Sequence, residues 1–322
     1  MIVTLTANPS LDRTVELTEP LARGEVQRSA LTHEQPGGKG VNVARALLAS
    51  GVDTLAVLPG SPADPMLIAL QAAGIPSAGL AISGTVRSNL TLTEPDGTTT
   101  KINEPGPTLS ADDAEALIEL VVDHARDAAW LVLAGSLPPG LPDDFYVRVV
   151  RAVRAAGGSP RVAVDSSGPA MLSLVTSGVC VDLIKPNAEE LAELTGHPDP
   201  ASLEEDTGAA ASVALELVHG AVGSVLATLG SRGAVLVTAE GAWHASMPPV
   251  TVRSTVGAGD SSLAGYLIAE QRGETARRRL AQAVAHGAAA ASLPGSGLPT
   301  LDQTDSAAAT VTNLTLTHQE LQ

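Results

Sequence analysis

The chain has 322 residues, with 35 acidic against 19 basic, a formal charge of −16 at pH 7, 44 % hydrophobic and 2 % aromatic residues, and one cysteine. That length allows one large domain or two ordinary ones with ample apolar residues for a core, and the charge argues against a nucleic-acid binder, which needs a basic face to displace counterions from phosphates. A single cysteine excludes a disulfide framework and a cysteine-based zinc site.

The N-terminus lacks a basic segment before its apolar residues, so Ile2–Thr6 reads as a strand rather than a signal peptide. No run of about 18 apolar residues marks a membrane span. A cytoplasmic protein is the expectation, with no nucleic-acid and no membrane partner. Asn8-Pro-Ser-Leu-Asp12 follows the first strand, the place where open parallel sheets bind ligands. Residues 10–34 hold no good helix and alternate in a way that suits an exposed β-segment. Pro36-Gly-Gly-Lys-Gly-Val-Asn-Val-Ala44 is a glycine-rich turn leading into a helix whose face is marked by Val41, Ala44 and Leu48. It fits neither a Walker A motif nor a dinucleotide fingerprint. Lys39 and Asn42 suit hydrogen bonds to a phosphate or hydroxyls; a flexible surface turn fits the local residues equally.

Residues 54–58 read as a second apolar strand, and residues 87–103 as two alternating strands around Pro95-Asp96-Gly97, a hairpin signal. The two irregular stretches are expected to form a small extra sheet capping an α/β body. Ser110, with Asp113 three residues later, opens a helix through Leu117, Leu120 and Val121. Strands follow at 130–133, Arg161–Asp165, 183–185 and Ser224–Thr228. Their ends carry Gly135-Ser-Leu-Pro-Pro-Gly140, Lys185-Pro-Asn-Ala-Glu-Glu190 and Thr228-Leu-Gly-Ser-Arg-Gly233, a series of loops able to define a ligand crevice. Cys180 falls in a mostly apolar run, 179–184, and is expected to be a buried, inert thiol. Strands alternating with helices over most of the chain imply a largely parallel sheet covered on both sides. The 295–299 segment and the polar tail from about residue 304 read as a loop and a weakly ordered terminus.

The strongest local feature is Arg253-Ser-Thr-Val-Gly-Ala-Gly-Asp260. Small residues at a helix start let backbone N–H groups converge on an anion. A carboxylate beside such a loop makes sense as a base for an attacking hydroxyl; as an ordinary N-cap it needs no such role.

Gly37-Gly-Lys-Gly-Val-Asn42 and Thr255-Val-Gly-Ala-Gly-Asp260 resemble the two signature motifs of the ribokinase-like (PfkB) carbohydrate kinases, in order and over the chain to about Leu298. Within that family, Leu5-Thr-Ala-Asn-Pro-Ser-Leu-Asp12, Lys101-Ile-Asn-Glu-Pro-Gly-Pro107 and the 135–140 loop resemble its phosphosugar branch. The resemblance implies a single three-layer α/β/α domain over 1–322, with a mainly parallel central sheet and a small β-sheet lid from insertions at about 10–36 and 86–104. It implies ATP-dependent phosphorylation of fructose 1-phosphate, with tagatose 6-phosphate and fructose 6-phosphate as alternatives. Asp260 would be the catalytic base, and the N–H groups of Gly257, Ala258 and Gly259 the anion hole. Asp12, Gly38 and Asn42 would hold sugar hydroxyls; Lys39, Arg87 and Ser136 the phosphate already on the substrate. Lys185, Asn187, Thr228, Gly230, Gly233 and His286 would bind ATP, with Glu190 organising Mg²⁺ through water. The lid would pair two subunits in a homodimer. Ser254 departs from the aspartate many relatives carry there, which leaves Asp260 unaffected. Two other classes compete: a sugar-phosphate binder without turnover, opposed by the intact base and both glycine loops, and an NAD(P)-linked enzyme, opposed by the absence of Gly-x-Gly-x-x-Gly after the first strand. Of three lysines in the chain, Lys39 and Lys185 fall inside the phosphate-binding motifs and Lys101 in the lid.

Overall fold

Strands that are apolar at consecutive positions need cover on both faces, and the alternation of strands and helices supplies it. The computed structural model describes residues 1–295 and 297–315. The strands are β1 (Ile2–Thr6), β2 (Ser10–Leu17), β3 (Ser29–Gly37), β4 (Thr54–Pro59), β5 (Ser77–Leu80), β6 (Arg87–Thr93), β7 (Thr99–Asn103), β8 (Trp130–Ala134), β9 (Arg161–Asp165), β10 (Leu183–Ile184), β11 (Ser224–Thr228), β12 (Ala234–Thr238), β13 (Gly241–Ser246) and β14 (Thr310–Leu314). The helices are α1 (Lys39–Ala49), α2 (Pro65–Ala72), α3 (Ala111–Ala125), α4 (Phe145–Ala155), α5 (Gly168–Thr176), α6 (Ala188–Thr195), α7 (Pro200–Glu205), α8 (Thr207–Val218), α9 (Ala258–Gln271) and α10 (Ala276–Ala291).

The main sheet has the order β14-β13-β12-β11-β10-β9-β8-β1-β4-β5. It is parallel from β5 through β11 and antiparallel beyond. Side chains of β1 and β8 alternate between two cores. Val3, Leu5, Leu131 and Leu133 pack among residues of α3, α4, α5, α6 and α8, whereas Ile2, Trp130 and Val132 pack among residues of α1, α9 and α10. Each such leucine or valine, removed wholly from water, contributes about 1.5–3 kcal/mol. Ser110 and Asp113 form the expected capping box on α3.

The second sheet, ordered β3-β2-β6-β7, is the expected lid. Its β6–β7 turn closes on Pro95-Asp96-Gly97, with Gly97 at φ +90° and Asp96 accepting from Thr98 N–H at 2.9 Å. Register gives the lid two unlike faces. Asp12, Asn89, Gln35 and Asn103 share one row, and Leu90 and Ile102 share the next, whose side chains point the other way.

Helix α9 is buried along almost its whole length, and its far end is pinned. Glu270 accepts from Trp130 Nε1 at 2.8 Å and from both amino groups of Arg161, whose guanidinium stacks over the Trp130 ring at 4.6 Å. The orientation of the N-terminal turn of α9 therefore follows the sheet.

Two expectations are corrected. Cys180 is exposed, not buried. Val179 and Val181 point inward on either side of it, so a period of two turns the thiol outward. The segment after residue 304 is not weakly ordered up to residue 315. Thr310–Leu314 completes the edge of the main sheet against β13, with Val311 packed on the second core and its carbonyl accepting from Arg277 at 2.7 Å. Threonine and valine are strand formers, and a polar composition suits an edge strand. The remainder of that expectation, residues 316–322, lies outside the described residues. No helix among the described residues is long and apolar enough to cross a membrane.

Candidate active site

Parallel strands deliver their following loops to one edge of the sheet. β9 ends there on Asp165, and the residue after β10 is Lys185. α1 starts at the same edge with Lys39, because Gly38 at φ +102° turns the chain out of β3 into the helix. Lys39 Nζ donates to Asp165 Oδ1 at 2.7 Å, and Lys185 Nζ lies 3.1 Å from Asp165 Oδ2. Asp165 is wholly buried. Burial alone would raise its carboxyl, but Lys185 and Lys39 together hold it below the usual carboxylate range. Burial likewise pulls the Lys39 ammonium down, and Asp165, Glu190 and Asp260 more than reverse it. The reading of Lys39 as part of a flexible surface turn is thereby excluded. Lys185 lies beneath the glycine turn: a Cβ on Gly259 would sit 3.3 Å from its Nζ.

The cap of α9 is Gly257, at φ +76°, with no side-chain cap. Asp260 is thus not an N-cap. It stands in the first helical turn, 7 % exposed, and accepts from Asn42 Nδ2 at 2.9 Å. Burial, then the neighbouring Asp165, push its carboxyl up from 3.8 to about 6, against the Asn42 hydrogen bond, Lys185 and Lys39. A carboxylate so placed is ionised near neutrality and more basic than a surface aspartate, which suits a general base. The start of the helix leaves its first N–H groups without partners inside it; Ala258 N–H turns back to the Thr255 carbonyl at 3.3 Å, while Ser261 N–H closes the first turn on the Gly257 carbonyl at 2.8 Å.

On the lid side, Asp12 Oδ1 accepts from Ser10 Oγ at 2.7 Å and from Asn89 Nδ2 at 3.0 Å. Asn8 Oδ1 and Asn89 Oδ1 are buried with no hydrogen-bond partner among the described residues. Arg87 donates to the carbonyls of Asn8 and Glu104, each at 3.1 Å; burial lowers its pKa, opposed by Asp12 and Glu104. Ser136 is exposed, on a loop held where the Gly135 carbonyl accepts from Tyr146 and Ser166, each at 2.9 Å. Lys39 and Arg87, expected on one phosphate, have no partner in common: Lys39 engages Asp165 and Glu190, Arg87 the lid base.

On the other side of Asp260 opens a cleft of about 830 Å³, lined among others by Asn187, Thr228, Gly230, Gly233, Ala258 and Gly259. Asn187 and Glu190 form a reciprocal capping box on α6, Asn187 Oδ1 accepting from Glu190 N–H at 2.8 Å and Glu190 Oε2 from Asn187 N–H at 2.9 Å. Glu190 Oε1 faces Lys39 at 3.7 Å. Among the described residues no group of three or more His, Cys, Asp or Glu gathers to hold a metal. Glu190, 15 % exposed at its side chain and next in sequence to Glu189 of the cleft lining, is a single part-open carboxylate, which fits a Mg²⁺ ion that keeps most of its waters.

His286 is not brought to this cleft. Val284, Gly287, Ala288 and Ala291 share the lining face of α10, and a helical period turns His286 to the opposite side. It is wholly buried, 3.4 Å from Ser50 Oγ and 3.1 Å from the Gln282 carbonyl. Burial lowers its pKa to about 4, so it is a neutral core histidine. Sequence reasoning missed Asp165, Asn89 and Arg45. The signal for Asp165 was present, a charge closing the apolar strand Val162-Ala163-Val164 at the ligand edge.

The chain matches the family described as pfkB family carbohydrate kinase over residues 6–303. It is 34 % identical over 306 residues to the 1-phosphofructokinase of Haloferax volcanii, covering 94 % of each chain. It is also 34 % identical over 301 residues to the ATP-dependent 6-phosphofructokinase isozyme 2 of Mycobacterium tuberculosis, covering 91 % of this chain and 85 % of that one. The structure of phosphofructokinase-2 from Escherichia coli in complex with fructose-6-phosphate superposes with a TM-score of 0.81 at 29 % identity, covering 94 % of this chain and 96 % of that one.

Proposed function

We propose that this chain, which belongs to the pfkB family of carbohydrate kinases, transfers the terminal phosphoryl group of ATP to the free C6 hydroxyl of fructose 1-phosphate, releasing fructose 1,6-bisphosphate and ADP. The observation that carries the reading is the buried Asp260 carboxylate, held by Asn42 at 2.9 Å in the first turn of a glycine-led helix. Phosphoryl transfer to an alcohol needs positioning and charge neutralisation more than covalent chemistry. Asp260 takes the hydroxyl proton as the oxygen attacks in line. The N–H groups of Gly257, Ala258 and Gly259 receive the charge that develops on the transferring group. Asp12, Gly38 and Asn42 orient the sugar hydroxyls, and Arg87 with Ser136 takes the phosphate already present on it. Lys39 faces the phosphoryl in transit. Lys185 adds positive potential from beneath the turn, and Asn187, Thr228, Gly230 and Gly233 line the nucleotide side. Glu190 would hold Mg²⁺ through water, and the ion would neutralise charge on the nucleotide phosphates.

The lid supports a homodimer. Leu11, Val15, Leu17, Leu90, Leu92 and Ile102 share one face by register, with the Arg13–Glu34 ion pair in the Leu90–Ile102 row, and none of the six belongs to a buried core cluster. A second copy of the same face would cover them.

The substrate reading leans on the relatives named 1-phosphofructokinase. The Mycobacterium tuberculosis relative and the Escherichia coli structure favour the isomeric case, transfer to C1 of fructose 6-phosphate at the same site. The test is kcat/KM with ATP on fructose 1-phosphate, fructose 6-phosphate and tagatose 6-phosphate. Fructose 1-phosphate is expected to lead by about 10-fold or more; preference for either 6-phosphate overturns the substrate assignment.

A further inference from the structure

Asn42 and Arg45 lie one turn apart on α1, on the same face. Arg45 Nη1 donates to Asn42 Oδ1 at 3.3 Å and to the Pro36 carbonyl at 3.2 Å, while Nη2 donates to Gln35 Oε1 at 3.4 Å. Gln35 and Pro36 are the β3 partners of Asp12 and Leu11. At its other end the Asn42 amide donates from Nδ2 to Asp260. A guanidinium has only donors, and an ionised carboxylate only acceptors. An amide between the two has one favourable orientation, oxygen to Arg45 and nitrogen to Asp260. Reversed, it would set its oxygen against the carboxylate and its NH₂ against the guanidinium.

We infer that Arg45 is a positioning residue for the base: it locks the Asn42 amide so that Asn42 donates to Asp260, and through Gln35 and Pro36 it ties that lock to the lid strands that carry Asp12. The inference rests on the phosphoryl-transfer reading above. On the base itself Arg45 acts through Asn42. The other charges facing Asp260 are Asp165 from β9, Lys39 from α1 and Lys185 after β10; Asp12, from β2, faces Arg45.

The test is a double-mutant cycle read by pH profile: wild type, Arg45→Met, Asn42→Ala and the double variant, with Arg45→Lys and Asp260→Asn alongside. Arg45→Met is expected to lower kcat about 10-fold and to move the acid limb of kcat/KM upward by about half a unit to one unit, because the ionised carboxylate loses a fixed donor. Arg45→Lys restores part of both. In the Asn42→Ala background Arg45→Met changes kcat less than about twofold and leaves the limb in place. An acid limb in Arg45→Met that superimposes on wild type, or full additivity in the cycle, overturns the inference. If Arg45→Met does not fold, Arg45→Lys carries the same comparison, since one ammonium does not reproduce the fork. Near-normal turnover in Asp260→Asn removes the underlying reading, and the inference with it; loss of turnover there with an additive cycle overturns the role of Arg45 alone.

Discussion

Lys39 Nζ donates to Asp165 Oδ1 at 2.7 Å, joining two residues 126 positions apart at the ligand edge of the sheet. With Lys185 on the other oxygen, one buried carboxylate organises two of the chain's three lysines. In a chain of charge −16, two of the few ammonium groups thus stand together at the ligand edge of the sheet, facing Asp165, Glu190 and Asp260.

Removing that carboxylate takes from Lys185 its ion-pair partner and leaves Lys39 with Glu190. Asp165→Asn is expected to lower stability by about 3 kcal/mol, measured by denaturant unfolding. The Lys185 arm, 4 % exposed, contributes more than the Lys39 arm, 36 % exposed and screened by solvent. Asp165 also raises the Asp260 carboxyl, so the acid limb of kcat/KM in this variant moves to lower pH. A limb unmoved or moved upward contradicts the electrostatic coupling.

Asp260 carries a stability cost with a definite pH window. Its carboxyl is raised from 3.8 to about 6, so the folded chain holds this proton more tightly than the unfolded one. Stability falls as pH rises through that window and stays reduced above it. Asp260→Asn is therefore expected to be more stable than wild type at pH 8, by about 1–3 kcal/mol, with the gap closing below pH about 4. Denaturant titrations at the two pH values check this; no gap at pH 8 contradicts it.

Arg87 sits at the lid base, away from the nucleotide cleft. Arg87→Ala is expected to raise KM for the phosphosugar about 100-fold while KM for ATP changes less than about 3-fold. Asn89→Ala, which releases Asp12, should show the same asymmetry at about 10-fold. Equal effects on both substrates contradict the placement.

The apolar lid face predicts its own assembly. Light scattering is expected to find a dimer for the wild type and a monomer for Leu92→Glu combined with Ile102→Glu, whose register partners Val15, Thr100 and Leu90 offer no cation to the two buried carboxylates. A monomeric wild type contradicts the homodimer.

Strands β1, β4, β8, β9, β10 and β11, the helix that opens at Ser110 and the two-part small sheet were legible because apolar runs, a capping box and an Asp-Gly turn are local signals; β5, β12 and β13 of the main sheet were not anticipated. Both glycine turns were legible for the same reason. The convergence of Lys39 and Lys185 on Asp165 was not, since strand order, not residue spacing, brings three distant loops to one point. His286 and Cys180 turned the other way because composition shows that a segment is apolar but not which neighbour each side chain meets. Val311 was missed because an edge strand needs only one apolar side.

The most direct test of the central claim is the turnover of Asp260→Asn with ATP and fructose 1-phosphate, measured together with the binding of each substrate. With Asp260 as the base, kcat falls about 10³-fold or more while both dissociation constants stay within about 3-fold of wild type. A kcat within about 10-fold of wild type contradicts the assignment of Asp260 as the group that takes the hydroxyl proton.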